Sequence, residues 1–258
     1  AIYAICNVMV GGYMKRLNNR GQTLVEYVLI ISLITVVAIG LVKIFGGYLK
    51  DAVTKMSCSI MDKEYVEKLR KLCDEKDIIL IFDEVQTGMG RTGYLFAHQM
   101  YGVEPDIFTS AKALGGGIPI GAVCAGKKVA SAFEPGDHGT TFGGNPFATA
   151  AGLAVFDIFE KEHLVENAGK MGKYFKEKLT ELQNKYSDKI TDVRNAGLLI
   201  GIQLEDSIAK TVFNKLFENK MLTSLCGGNT IRIAPPLIIK ETDVDLFINT
   251  LDKVLEEI

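Results

Sequence analysis

The chain has 258 residues, 48% of them hydrophobic, and a formal net charge of −2. That length can bury a sizeable core, and the near-neutral balance excludes the global basic bias of a nucleic-acid-binding protein. Charge is nevertheless uneven: residues 1–60 carry six basic and two acidic side chains, a local +4 that leaves −6 for the rest, as expected of two segments of different origin or environment. The five cysteines, Cys6, Cys58, Cys73, Cys124 and Cys226, are scattered, with no C-x-x-C pair and no histidine at ligand spacing. They argue against zinc and against a disulfide framework, and no metal site is expected.

From Val28 to Val42 the chain reads VLIISLITVVAIGLV, with Ser32 and Thr35 as its only polar members. As a helix this run covers about 22 Å. Extension past Lys43 to Phe45 gives about 27 Å, just short of the ~30 Å hydrocarbon core. Length alone leaves a short membrane span, a buried helix and a signal-peptide core all open. Just before it stands Arg20-Gly21-Gln22-Thr23-Leu24-Val25-Glu26-Tyr27. A glycine after basic residues, then glutamate and tyrosine opening an apolar helix, resembles the G-x-x-x-x-E-Y processing site of small Flp-type pilins. The resemblance implies cleavage between Gly21 and Gln22, with Glu26 satisfied by the new amino terminus of a neighbouring subunit in the fibre; read without it, Glu26 is an interfacial acid favoured by the helix dipole. The pilin-like segment covers residues 14–60, and a junction with an unrelated coding segment is expected near Cys58 to Met61.

Beyond residue 61 helices and strands alternate. Tyr65, Leu69, Leu72 and Cys73 predict one helical face, and Ile78 to Phe82 a buried parallel strand. Short strands are predicted at Ile107–Thr109 and Ala122–Ala125, and a helix from Asn145-Pro146 to about Glu160, with cap and first-turn proline in their preferred places. A polar amphipathic helix follows over about His163 to Lys185. Strand candidates then stand at Ile190–Arg194, Leu198–Leu204, Met221–Leu225 and Thr230–Ile233, and a closing helix at Glu241 to Ile258. This alternation predicts an α/β layered fold, with a smaller α+β unit after about residue 160.

Two strings carry the chemistry. In Leu80-Ile81-Phe82-Asp83-Glu84-Val85-Gln86-Thr87-Gly88 an acid ends an apolar run, at the strand end where ligands of open α/β sheets collect. In Ser110-Ala111-Lys112-Ala113-Leu114-Gly115-Gly116-Gly117 a lysine follows a second run, among small residues that offer little to crowd or solvate its amine. An anion for a ring nitrogen and an amine for an aldehyde are what a pyridoxal phosphate site needs. Taken singly, Asp83 would be a turn cap, Val85 a core residue and Lys112 a surface lysine. Two further strings join them: His138-Gly139-Thr140-Thr141-Phe142-Gly143-Gly144-Asn145-Pro146, hydroxyls and flexible backbone before a helix start, suited to an anion, and Thr230-Ile231-Arg232-Ile233, where a planar guanidinium could clamp a carboxylate. His138 is expected to shape its loop.

Together these strings resemble the class III, fold-type-I pyridoxal phosphate-dependent aminotransferases, most closely the acetylornithine and ornithine type. The resemblance implies that residues 61–160 are the carboxyl-terminal part of the large, mostly parallel cofactor domain and 161–258 the small α+β domain. It makes Asp83 the partner of the ring nitrogen, sets Val85 against the ring face and Gln86 near the ring hydroxyl, and makes Lys112 the lysine that binds the cofactor and moves the substrate proton. Thr141 would reach the cofactor phosphate of the other subunit of a homodimer, and Arg232 would lie on the substrate side, paired at rest with a glutamate from a segment this chain lacks. Asp83 and Lys112 are expected on one side of the sheet, facing a common cavity. The activity implied is transfer of an amino group from N-acetylornithine or a related amine to 2-oxoglutarate, in a cytoplasmic enzyme of arginine biosynthesis. The family's amino-terminal half, with most of the phosphate cradle and the residue stacked on the ring, has no counterpart here, so the chain as written is expected to lack useful activity. A pilus subunit carried by residues 14–60, membrane-bound or secreted, and a non-catalytic aminotransferase remnant are the competing readings.

Overall fold

A computed structural model describes residues 62–134 and 136–258. The expected apolar helix at about 24–45, the processing residues Gly21, Gln22 and Glu26, and the junction near Met61 lie outside them. Among the described residues no helix is long and apolar enough to cross a membrane.

Helix α1 (Lys63–Glu75) starts at Asp62, whose carboxylate accepts the backbone N–H groups of Glu64 and Tyr65, a side-chain cap for donors a helix end leaves open. Its buried stripe is Val66 and Cys73, with Leu69 packed beside it against Leu80 and Val103. The expected face is therefore rotated: Tyr65 and Leu72 are exposed. Arg70 shares the inward stripe because it reaches Asp106 at 2.9 Å, and that ion pair turns the helix.

Strands β1 (Ile81–Asp83), β2 (Ile107–Ser110) and β3 (Ala122–Ala125) form a sheet in that order, β1 parallel to β2 and β3 antiparallel to it. The apolar run before Asp83 is less buried than expected. Leu80 is buried, but Ile78, Ile79 and Ile81 are about half exposed, because the cluster around α1 covers one side of β1 only. Two short helices, α2 (His98–Tyr101) and α3 (Lys127–Ala130), flank this sheet, and a 3₁₀ turn over Lys112–Gly115 follows β2.

Helix α4 (Pro146–Lys161) has proline in its first turn and the Asn145 side chain accepting from Ala148 N–H, the predicted start. Helix α5 (Leu164–Lys185) leads to a four-stranded antiparallel sheet of order β4-β5-β7-β6, built from β4 (Ile190–Ala196), β5 (Leu199–Leu204), β6 (Ser224–Cys226) and β7 (Thr230–Ile233). Along β5 the period of two is plain: Ile200, Ile202 and Leu204 are buried and the residues between them are not. That buried face forms the main core with α5, α6 (Asp206–Glu218) and α7 (Glu241–Glu256). Helix α6 was not assigned from the sequence. It also displaces the predicted 221–225 strand to 224–226, because Met221 N–H closes the helix end on Leu216 O.

The two sheets are joined by backbone at van der Waals contact. A Cβ on Gly197 (φ +52°) would stand 2.5 Å from the Thr92 carbonyl carbon, and one on Gly172 2.5 Å from Gly197 O. Both distances are shorter than real Cβ contacts, so glycine is required where α5, the loop after β1 and the β4–β5 turn converge.

Candidate active site

Asp83 ends β1, and Lys112 follows β2, its parallel neighbour. Because the strands run the same way, both residues emerge at the carboxyl-terminal end of the sheet. The loop after Asp83 folds back so that Lys112 Nζ lies 3.4 Å from Gln86 Oε1. Asp83, Gln86 and Lys112 are thus gathered by a single parallel pairing.

Asp83 Oδ1 accepts two hydrogen bonds, from Thr109 Oγ1 at 2.7 Å and from Val85 N–H at 3.1 Å. The second is an Asx turn, in which a short acid fixes the backbone two residues on. Neither donor reaches Oδ2. The next residue serves a different end: Glu84 is 2% exposed, and its carboxylate accepts Ala97 N–H, His98 N–H and, at 2.8 Å, His98 Nδ1. Glu84 staples the loop that carries Val85 and Gln86 to the start of α2, so of the two adjacent acids one faces outward and one holds the loop.

Lys112 has φ +51°, a left-handed conformation that a residue with a Cβ adopts at a penalty of about 1 kcal/mol. Its side chain is exposed, as is that of Asp83. Two hollows of about 460 and 900 Å³ around α5 are lined by other residues. Helix α4 packs on the Lys112 turn through Gly152, whose missing Cβ would meet Leu114 O at 3.5 Å.

Thr141 is exposed in the loop before α4. The loop is ordered by Gly143 N–H to Thr140 Oγ1 and by Asn145 Nδ2 to Phe142 O, and no hydrogen bond joins Thr141 to Asp83, Gln86 or Lys112. Arg232 stands on β7, opposite Gly201 of β5 and Ser224 of β6. Strand alternation puts it on the face away from Ile231 and Ile233, the one the helices leave uncovered.

Three residues went unnoticed in the sequence. Thr109 pairs with Asp83 in register, a relation visible only once the strands are aligned. Glu84 stood inside the motif but was read only as part of it. Arg91 donates through Nη1 to the carbonyls of Leu198 and Pro235, while its own carbonyl accepts Leu198 N–H at 2.9 Å. Burial, with the nearby Arg232 guanidinium second, pushes the Arg91 pKa below its usual value. The loop that starts at Asp83 is therefore tied to the β4–β5 turn and to the segment just after the strand that carries Arg232.

Residues 54–255 match the family described as aminotransferase class-III. An acetylornithine aminotransferase of Methanocaldococcus jannaschii is 47% identical over 223 residues, covering 81% of this chain and 56% of the relative. Among solved structures, an acetylornithine aminotransferase from Elizabethkingia anophelis superposes with a TM-score of 0.73 at 38% identity, over 77% of this chain and 51% of that one. An ornithine aminotransferase from Plasmodium yoelii also gives 0.73, at 34% identity, over 77% and 53%. The chain spans about half the length of the curated relatives it matches. With an acid and a lysine at the ends of parallel strands and this match along most of its length, the chain belongs to the class-III aminotransferases, a family of fold-type-I, pyridoxal phosphate-dependent transaminases.

Proposed function

We propose that the chain carries the catalytic lysine and the ring-nitrogen acid of an acetylornithine-type aminotransferase, which moves an amino group from N-acetylornithine or a related amine to 2-oxoglutarate. The observation that carries this is the placement of Asp83 and Lys112 on adjacent parallel strand ends with Gln86 against the lysine. These residues fit pyridoxal phosphate: a carboxylate with one oxygen still open to an N–H donor, an amine within reach of one polar side chain, and a glycine-rich turn beside them. When bound, the cofactor supplies an electron sink for the carbon that loses its proton.

The chain's own residues then divide the work. Asp83 would accept the ring N–H and so favour its protonated form. Lys112 would hold the cofactor by its aldehyde and would serve as the base for the substrate α-proton. Gln86, against the lysine, would orient it and meet the ring hydroxyl, and Val85 would lie on the ring side of the site. Arg232 clamps a substrate carboxylate through parallel hydrogen bonds.

Thr141 would serve the cofactor phosphate of a second copy, which would make a homodimer the working form. The sequence of α4 supports this. Phe147, Ala150, Leu153 and Phe156 leave little polar surface around the helix, yet only Ala148 and Gly152 are buried. A helix apolar all round needs a covering partner, and α4 sits against the Lys112 turn. The pilin-like reading of 14–60 is kept only for the residues before 54, where the class-III match begins, on the strength of the Gly21, Glu26 and Tyr27 pattern.

Reductive trapping tests the central assignment. Borohydride treatment of the chain with pyridoxal phosphate, followed by peptide mapping, should place the label on Lys112, and preincubation with N-acetylornithine should lower the yield. Because Asp83 and Lys112 are exposed, the chain alone should bind the cofactor weakly and turn over slowly. Label spread evenly over surface lysines, or unaffected by Lys112→Ala, would overturn the assignment.

A further inference from the structure

Asp83 has a partner that neither string of the motif contains. Thr109 lies directly across the parallel pairing from it, and residues paired across a sheet project from the same face. Its hydroxyl donates to Asp83 Oδ1 at 2.7 Å, shorter than the 3.1 Å bond from Val85 N–H to the same oxygen. Two donors converging on one oxygen from different segments fix the rotation of a carboxylate, which a single donor does not. Threonine suits the task because its branched Cβ restricts χ1, so the hydroxyl stays where the strand puts it. The neighbouring Ser110 cannot substitute: it points to the opposite side, buried, with no partner for its Oγ among the described residues.

We propose that Thr109 is a positioning residue of the cofactor site, holding Asp83 by one oxygen so that the other is presented to a protonated ring nitrogen. The proposal rests on the assignment of Asp83 to that nitrogen. In this role Thr109 would touch neither cofactor nor substrate. It acts through Asp83, and its removal should be felt only by a ligand that bears an N–H at that place.

The test compares the affinities of the full chain for pyridoxal phosphate and for its deaza analogue, in which C–H replaces the ring nitrogen, by absorbance and fluorescence titration. Thr109→Val should weaken pyridoxal phosphate binding roughly tenfold, the size of one hydrogen bond to a charged group, while leaving the deaza analogue unchanged. Thr109→Ser, which keeps the hydroxyl, should bind both ligands as the unaltered chain does. Thr109→Ala serves as a second deletion of the hydroxyl should valine perturb the strand. Equal losses for both ligands would reveal a merely structural role and overturn the proposal, as would an unchanged affinity in both deletion variants. Asp83→Asn separates the two levels. If it also discriminates between the ligands but Thr109→Val does not, the positioning role alone fails. If Asp83→Asn does not discriminate, or the unaltered chain binds neither ligand, the assignment of Asp83 fails and the role of Thr109 with it.

Discussion

At the scale of single residues, the site uses neighbours of the motif residues as much as the motif residues themselves. Arg91 is the clearest case. Its guanidinium holds the carbonyls of Leu198 and Pro235, which bracket the strands beside Arg232. Two arginines placed close together repel, so the hydrogen bonds must outweigh that repulsion. Losing a charged donor to part-buried carbonyls costs about 1–3 kcal/mol. Arg91→Met should therefore destabilise the chain by about that amount in denaturant titration, with Arg91→Lys intermediate because ammonium cannot reproduce the planar fork. A variant as stable as the parent would show that repulsion from Arg232 cancels the two bonds.

At the scale of elements, the entry to the first sheet depends on one carboxylate. Asp106 Oδ2 accepts Leu80 N–H at 2.8 Å and Arg70 Nη1 at 2.9 Å. The Leu80 N–H, then the Arg70 guanidinium, hold its pKa below the usual carboxylate value against the opposing effect of burial. For an acid whose folded pKa lies below its unfolded one, the stabilisation is fully present above the unfolded value, about 4. It is lost as pH falls through the folded value. Asp106→Asn should therefore lower stability at neutral pH and make the decline below about pH 4 shallower than in the parent. Chemical denaturation at a series of pH values measures both, and parallel profiles for the two proteins would contradict the expectation.

At the scale of the whole molecule, the two sheets differ in how they are covered. The carboxyl-terminal sheet is sealed by α5, α6 and α7, with Ile202, Leu216 and Leu251 fully buried. Around the first sheet and α4, Phe142 is 81% exposed and Phe147 71%. Apolar exposure of this kind marks an interaction surface, and it flanks the loop that carries Thr141. The chain should therefore sediment as a dimer at micromolar concentration, and Phe147→Glu should shift it toward monomer without changing its circular dichroism. A monomeric parent would remove the argument for a second copy.

How much of this was legible in the sequence follows from the range of the forces involved. Local order was readable because it depends on near neighbours: the Asn145-Pro146 helix start, the 122–125 and 230–233 strands, and the acid and lysine that end their apolar runs. The family could be recognised because its strings are contiguous. Helix α6 was missed although Ile208, Val212 and Leu216 recur at helical spacing; its N-cap, Glu205, makes no side-chain cap hydrogen bond, and its stability comes from Ala209, Val212 and Leu216 packing on α7 and the sheet. The rotation of α1 was decided by Asp106, which lies 36 residues from Arg70. Arg91 met Leu198 and Pro235, 107 and 144 residues away, only after folding. The sequence by itself determined which chemical groups the site contains, because composition and order are local. Tertiary structure alone decided which neighbours hold them, since strand register and the convergence of glycines bring together residues that no spacing along the chain relates.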